Sequence, residues 1–283
     1  MTYKFHADQY GSTWYHSHFS LQYGDGLYGP LIINGPATAD YDEDLGVLFL
    51  SDWAHQSVFE IWDSARVGAP PALDTGLING TNTYNGGGKK FETTFVSGKK
   101  YRIRVINVAI EGHFQFSIDG HSLQVIANDL VPIVPYDTDS LLVSIGQRYD
   151  VIVEANATPG DYWLRGGWLT ACDPNNNAPN ITGIVRYDPS STAELTSTGI
   201  VPGSNCGDEP LASLVPHLAS SVGNYSGITE EDLGIVFGNV ATWTLNSSSL
   251  YLNWSDPTNL RIAHSQSVFP TDYNVIPLDV RII

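Results

Sequence analysis

The chain has 283 residues, of which 42% are hydrophobic, so it is long enough to bury a core in about two domains. Charged residues make up only 15%, and the formal net charge at pH 7 is −17. Because nucleic-acid binding needs clustered lysine and arginine, this charge excludes a nucleic-acid partner. The absence of an apolar stretch of about 18 residues excludes a membrane-spanning helix.

Alternating apolar and polar residues predict short β-strands along most of the chain. Residues 55–66 form the one segment that predicts a helix. Clear strands are predicted after it at 101–107, 114–118, 141–145 and 149–153. In the first of these strands Tyr101, Ile103 and Val105 share one face, and two arginines lie on the other. Short strands between regularly spaced turn residues predict an all-β fold built from antiparallel sandwiches.

The strand pattern divides the chain into four blocks. Residues 1–36 cannot bury both faces of their strands alone, so they are predicted to be the C-terminal strands of a first domain. Residues 37–188 have the size of a complete sandwich, 189–212 form a linker rich in Ser, Thr, Gly and Pro, and 213–283 begin a third domain. The sequence starts without a signal peptide and both ends fall in predicted strands, so we expect it to be part of a longer protein.

Two cysteines and six Asn-x-Ser/Thr sequons indicate an extracellular location. Cys172 and Cys206 do not form a Cys-x-x-Cys zinc or redox pattern. In an extracellular protein they predict a disulfide, and two buried free thiols are the alternative. The sequons begin at Asn79, Asn156, Asn180, Asn224, Asn246 and Asn253. We therefore expect a secreted, monomeric glycoprotein.

The segment Trp14-Tyr-His-Ser-His carries the clearest chemical signal. On a strand, residues i and i+2 point to the same face about 7 Å apart, so His16 and His18 can converge on a metal. Imidazole is a ligand for copper, zinc, iron and nickel. For an isolated His-x-His, two unrelated surface histidines are the alternative.

The residues around these histidines resemble the second copper-binding motif of the multicopper oxidases, and of ascomycete-type fungal laccases in particular. The similar residues are Gly11-Ser-Thr-Trp-Tyr-His-Ser-His-Phe-Ser-Leu-Gln-Tyr and Asp25-Gly-Leu-Tyr-Gly-Pro-Leu-Ile-Ile. Further similar stretches are Leu77-Ile-Asn-Gly-Thr, Tyr101-Arg-Ile-Arg-Val-Ile-Asn, Gly146-Gln-Arg-Tyr-Asp-Val and Asn253-Trp. The resemblance implies cupredoxin-like Greek-key sandwiches.

The same resemblance implies copper as the cofactor. In that family four His-x-His pairs surround a trinuclear copper cluster, and His16 and His18 correspond to one of these pairs. The sequence lacks the His-Trp-His, His-Pro-x-His-Leu-His-Gly-His and His-Cys-His motifs, the last of which holds the blue-copper cysteine. The chain thus holds one half-site of the cluster and no blue-copper site, and we expect it to be inactive alone.

A substrate site is also implied by the resemblance. Glu111 corresponds to the carboxylate that laccases present to a phenol, and it can accept the proton that an oxidised phenol loses; a solvated loop glutamate is the alternative. Ala69, Pro70 and Trp243 fall where laccases line the same pocket, with ordinary loop and core roles as the alternative. The cysteines match a structural disulfide of related laccases.

The predicted function of the intact protein is a laccase-like oxidase that couples one-electron oxidation of phenolic substrates to reduction of dioxygen to water. One alternative is a metal-ion or ascorbate oxidase of the same superfamily, which a cluster of acids around Glu111 would favour. The other is a non-catalytic secreted β-sandwich, although strands left unpaired at both ends would invite aggregation.

Overall fold

A computed structural model describes residue 2 and residues 4–68, 71–220, 232–238, 240–250, 253–266 and 268–269. The chain divides into two compact units. The first comprises Met1–Ile61 with Pro71–Ala219, and the second comprises Trp62–Pro70 with Ser220–Ile283.

The first unit is built almost entirely from strands. In chain order they are Gly11–His16 (β1), Tyr28–Ile33 (β2), Glu43–Trp53 (β3), Thr75–Ile78 (β4), Thr83–Tyr84 (β5), Gly87–Gly88 (β6), Glu92–Thr94 (β7), Lys100–Asn107 (β8), Phe114–Ile118 (β9), Leu123–Asn128 (β10), Val131–Thr138 (β11), Leu141–Val143 (β12), Arg148–Glu154 (β13), Asp161–Trp168 (β14) and Thr182–Arg186 (β15). Short 3-10 helices occupy Ala178–Asn180 and Leu211–Ser213.

The predicted helix at 55–66 is present as Val58–Ala65 (α1). Ser57 precedes it and forms a capping box: the backbone N–H of Ser57 donates to Glu60, and the Ser57 hydroxyl accepts from Phe59. In the second unit, Leu233–Phe237 (β16) pairs antiparallel with Ala241–Leu245 (β17), and Thr258–Ala263 (α2) follows. Within the described residues, no helix has the length and apolar character needed to cross a membrane.

Two sheets form the body of the first unit and confirm the all-β prediction. One has the order β11-β10-β13-β8-β3-β4 and the other the order β12-β9-β14-β15-β7. The sheets are not purely antiparallel as predicted, since β3 runs parallel to β8 and β15 runs parallel to β7. After β3 and β4 the chain crosses to the other sheet at β7, and β8 then returns to lie beside β3. For this reason β3 and β8 run in the same direction.

The core of the sandwich lies between these sheets. Leu50, Val105 and Val151 of the six-stranded sheet are fully buried with Phe114 and Leu164 of the five-stranded sheet. β-Branched and aromatic side chains at alternate positions of a strand pack well on such a half-buried pleated surface. Each large apolar side chain buried this way contributes roughly 1.5–3 kcal/mol.

The opposite face of β8 is also buried: β1 contacts it at Arg104, and the guanidinium of Arg102 lies 5.4 Å from the ring centre of Tyr41. Arg102 and Arg104 are each only 4% exposed, and both pair with the buried carboxylate of Asp150. The fully buried Ser12 of β1 donates to Asp150 at 2.6 Å and accepts from Arg104 at 2.8 Å. This charged network fastens the hairpin to the sandwich.

Candidate functional site

The candidate metal centre lies at the end of the β1–β2 hairpin. His16 is the last residue of β1 and pairs with Tyr28, and His18 follows two residues later. Their ring centroids are 5.6 Å apart with planes inclined by 35°, His16 being half-buried and His18 exposed. The Nδ1 of His16 lies 3.0 Å from the carbonyl oxygen of Ser17, so in the tautomer where Nδ1 donates, Nε2 is free to bind a metal.

Two aromatic side chains support the His16 ring. Trp14 stacks on it with ring centroids 4.8 Å apart, and Tyr23 packs at 4.5 Å. The Tyr23 hydroxyl donates to the carbonyl oxygens of Val108 and Ala109, at 2.8 Å for Val108. Burial, with Asp52 nearby, raises the pKa of Tyr23 well above its usual range, so the hydroxyl stays a donor. Tyr23 therefore joins the β1–β2 hairpin of residues 11–33, called the histidine hairpin below, to the loop that follows β8.

The donor set fits part of a copper site. Neutral imidazoles are good copper ligands, and His16 and His18 provide two of them on one side of the hairpin. Among the described residues, no group of three or more His, Cys, Asp or Glu side chains is placed to hold a metal ion. Two imidazoles alone would need further donors to complete a metal site.

The loop after β8 carries Glu111 and is held by Asp52 at the end of β3. The carboxylate of Asp52 is 9% exposed and accepts three backbone N–H groups of this loop. The donors are Ile110, Glu111 and Gly112, at 2.8–3.1 Å. Burial nevertheless raises the pKa of Asp52. Since three consecutive backbone amides donate to one carboxylate, the backbone of this loop has a defined conformation.

The side chain of Glu111 is half-buried and adjoins other carboxylates. Burial, followed by the negative charges of Asp173 and Asp52, raises the pKa of Glu111 to about 7. A carboxyl group with such a pKa can take up and release a proton near neutral pH. The raised pKa of Glu111 therefore fits a proton acceptor.

Comparison with known proteins assigns the chain to a family. Residues 44–190 match a family model described as Multicopper oxidase, and residues 1–38 match a second model with the same description. The chain belongs to the multicopper oxidase family. Both the histidine hairpin and the loop of Glu111 lie in the matched residues.

Similar proteins include several fungal laccases. Laccase-2 of Botryotinia fuckeliana is 65% identical over 289 residues, which cover 99% of this chain and 50% of that protein. A crystal structure of laccase from Botrytis aclada is 65% identical with a TM-score of 0.91, covering 95% of this chain and 51% of that one. This multicopper oxidase chain thus spans about half the length of the relatives it matches.

A more distant structure agrees on the fold. Fet3p, described as a multicopper oxidase that functions in iron import, has a TM-score of 0.73 at 24% identity and covers 86% of this chain and 46% of its own. The expected cupredoxin-like architecture is thereby confirmed. Membership of the family implies copper chemistry.

The other residues predicted for the substrate pocket are only partly described. Ala69 and Pro70 lie outside the described residues. Trp243 lies in β17 of the second unit, with 65% of its surface exposed. These three assignments remain predictions.

The predicted disulfide is present between Cys172 and Cys206, whose Cα atoms are 5.3 Å apart. The sequon asparagines Asn79, Asn156, Asn180 and Asn246 are exposed, Asn253 is half-exposed, and Asn224 lies outside the described residues. The side-chain amide of Asn79 donates to the carbonyl oxygen of Val47, and that of Asn180 donates to the side chain of Asn177.

Sequence reasoning missed three residues of this region. They are Tyr23, which belongs to the histidine motif without a predicted role of its own, and Asp52 and Asp173, which no motif marks. Each acts through a partner at least 58 positions away in sequence, for example 85 for Tyr23 with Val108 and 58 for Asp52 with Ile110. No local pattern in the sequence marks such contacts.

Proposed function

We propose that this chain provides a laccase-type oxidase with one pair of copper-binding histidines and with the carboxylate that accepts the proton of a phenol. The observation that carries the proposal is the placement of two imidazoles 5.6 Å apart at one hairpin end, in a chain 65% identical to fungal laccases. Three further histidine pairs and a blue-copper site would come from protein segments that this sequence does not contain.

The residues of this chain would hold and orient the copper ions and the substrate, and they would not themselves transfer electrons. His16 and His18 would each bind a different copper, with the ring of His16 fixed by Trp14 and Tyr23. Bound copper supplies the transfer of electrons from substrate to dioxygen. For a phenol, the overall reaction is the oxidation of four phenols to phenoxyl radicals with reduction of one dioxygen to two waters.

Glu111 would act at the phenol. Loss of an electron makes the hydroxyl proton of a phenol strongly acidic, and a carboxylate within hydrogen-bond reach can accept it. Asp52 holds the Glu111 loop through three amides, which keeps the acceptor in place as substrates come and go. Substrate-binding roles for Ala69, Pro70 and Trp243 remain predictions from the family resemblance.

Oxidation of a metal ion is less well supported. Asp173 and Asp52 adjoin Glu111, which is the acidic cluster expected of a metal-ion site. However, Asp52 uses its carboxylate on backbone amides, and no three-group metal-binding set occurs in the described part of the chain. A phenol needs only one free carboxylate, so phenolic substrates fit this arrangement better.

The surroundings of the protein are part of the proposal. A disulfide and several exposed sequons are typical of a secreted, glycosylated protein. We infer that it works outside the cell as a monomer on small phenols and dioxygen. The first-domain strands of 1–36, the complete sandwich of 37–188, the linker of 189–212 and the third-domain start of 213–283 remain the proposed organisation.

A chimera tests the proposed function. The chain would replace the matched half of the Botrytis aclada laccase, which supplies the other segments. We expect the chimera to bind copper, show a blue absorption band and consume dioxygen with a phenol such as 2,6-dimethoxyphenol. A folded chimera that takes up copper normally yet leaves both phenols and dioxygen unchanged would refute the proposal.

The chain alone should bind copper weakly and show no blue band. Two imidazoles do not close a coordination sphere, and metal affinity depends on the number and geometry of donors. Titration of the purified 283-residue chain with Cu²⁺, followed by calorimetry and visible absorption, measures this. A strong absorption band near 600 nm, or turnover of a phenol by the chain alone, would contradict the half-site interpretation.

Replacing Glu111 by glutamine in the chimera should lower kcat/KM for phenols by roughly 10²-fold, since proton transfer by a positioned side chain contributes at least that much. A non-phenolic dye that loses only an electron should be oxidised within about twofold of the unmodified rate, as its oxidation needs no proton acceptor. Steady-state kinetics on both substrates give the comparison. Glu92→Gln removes a half-exposed carboxylate in β7 and serves as control; equal losses on both substrates would remove Glu111 from the site.

A further inference from the structure

The loop that follows β8, residues 108–112, is held by side chains of the sandwich. The fully buried Asn107 bridges it: its side-chain oxygen accepts from the N–H of Ala109 at 2.9 Å, and its amide donates to the carbonyl oxygen of Gly112 at 2.8 Å. Asp52 accepts the last three amides of the loop. Both side chains belong to strands of the six-stranded sheet, so this part of the hold is internal to the sandwich.

The first two carbonyl oxygens of the same loop are held from the histidine hairpin. The Tyr23 hydroxyl donates to the carbonyl oxygens of Val108 and Ala109. The ring of the same tyrosine packs on the imidazole of His16 with centroids 4.5 Å apart, and lies 5.4 Å from the ring of Trp14. One side chain therefore contacts a predicted metal ligand with its ring and the Glu111 loop with its hydroxyl.

The hairpin backbone next to Tyr23 is itself anchored. The carboxylate of Asp25 accepts the hydroxyl of Ser57 at 2.6 Å and the backbone N–H of Val58 at 2.8 Å, at the start of α1. A Cβ added to Gly24 would lie 2.9 Å from a methyl group of Val58, so the backbone packs directly against this side chain. Because its two following residues are fixed in this way, Tyr23 cannot easily move away from the loop.

We propose that Tyr23 is a positioning residue that couples the histidine hairpin to the Glu111 loop. Its ring fixes the imidazole of His16 and its hydroxyl fixes the loop, so that a metal bound at the hairpin and the proton-accepting carboxylate order each other. Such coupling is reciprocal, because an effect of metal binding on the order of the loop requires an equal effect of loop order on metal affinity. The coupling is a property of this chain, whereas its use in phenol oxidation rests on the proposed function.

Tyr23→Phe tests the contact with the loop, because it removes the hydroxyl and keeps the ring. In the 283-residue chain without copper, hydrogen exchange of the amides of residues 109–112 should accelerate about tenfold, since two carbonyl oxygens lose their donor. Mass spectrometry of the peptide that contains Glu111 measures the exchange. A folded Tyr23→Phe chain whose loop exchanges within twofold of the unmodified rate would overturn the coupling.

The matched control is Tyr15→Phe. Tyr15 lies on the same hairpin, is 59% exposed, and points to the face of β1 opposite to His16 because neighbouring residues of a strand alternate. Removing its hydroxyl should leave exchange in the Glu111 loop unchanged. An equal acceleration in both variants would show a general loosening of the hairpin and would contradict a specific role of Tyr23.

A second measurement needs no variant and uses the Botrytis aclada chimera with its copper bound or removed by a chelator. Copper should slow exchange in residues 109–112 by at least about threefold, and Tyr23→Phe should retain the copper yet lose most of this protection. Tyr23→Leu also removes the ring from His16 and should lower copper affinity about tenfold. Equal exchange of the loop in the copper-bound and copper-free chimera would overturn the coupling.

Substrate kinetics of the chimera separate the coupling from the proposed function. In Tyr23→Phe, kcat/KM for 2,6-dimethoxyphenol should fall about tenfold, while a non-phenolic dye that loses only an electron stays within about twofold. Altered loop exchange with an unchanged phenol rate would support the coupling and refute Glu111 as the proton acceptor of the phenol. Unaltered loop exchange would refute the coupling and leave the proposed function intact.

Discussion

Replacing His16 and His18 together by alanine in the Botrytis aclada chimera should abolish dioxygen consumption. Substitution of residues that only orient a metal ligand already lowers metal affinity or activity about 10–100-fold. Loss of two ligands should therefore lower activity by at least about 100-fold. Copper content measured by mass spectrometry should fall in parallel, whereas the blue absorption band should remain, because its ligands would come from the other half of the chimera.

The matched control for this experiment is His6→Ala, since the side chain of His6 is 88% exposed and its Nδ1 lies 2.5 Å from a carboxylate oxygen of Asp8. We expect this variant to keep full copper content and activity. Each single variant, His16→Ala and His18→Ala, should lose most of the activity because the two rings would serve different coppers. A double variant that retains copper and consumes dioxygen at the unmodified rate would show that the two histidines bind no catalytic metal.

Replacing Asp150 by asparagine should destabilise the sandwich by about 3–5 kcal/mol. The change removes the shared partner of Arg102 and Arg104 and leaves the buried Arg102 guanidinium without its counter-charge, whereas Arg104 keeps its ion pair with Asp44. It also weakens the bond from Ser12, so the histidine hairpin loses one of its anchors. The free energy of unfolding of the chain in urea gives the magnitude, and proteolysis within residues 17–27 should accelerate.

An exposed ion pair provides the comparison. Asp129 lies 3.3 Å from Arg148, and its side chain is 43% exposed. Asp129→Asn keeps a residue type that tolerates the left-handed backbone of this turn, where φ is 53°. It should therefore cost less than about 1 kcal/mol. If both variants lose the same small amount, the buried network contributes little to stability, and the hairpin is held by other contacts.

The sequence by itself determined the features whose signals are local. The alternation of residues 101–107 and 114–118 places strands there, as β8 and β9 show, since neighbouring side chains of a strand point to opposite faces. The spacing of His16 and His18 also predicts neighbouring rings. Their ring centroids lie 5.6 Å apart, although β1 ends at His16 and His18 lies beyond the strand. A family resemblance in the same residues predicted the cupredoxin-like fold.

Only the tertiary structure decided the burial and the charge of the site. The periodicity of β8 places its arginines opposite Tyr101 but does not tell whether water or protein covers them. Ser12 of the hairpin contacts Arg104, Tyr41 lies against Arg102, and Ser12 bonds to Asp150, which is 138 positions away. The negative charge of Asp173, which lies on another loop, likewise contributes to the raised pKa of Glu111. Burial and like charge shift a carboxyl pKa only when groups meet in space, and that meeting depends on how distant strands pack.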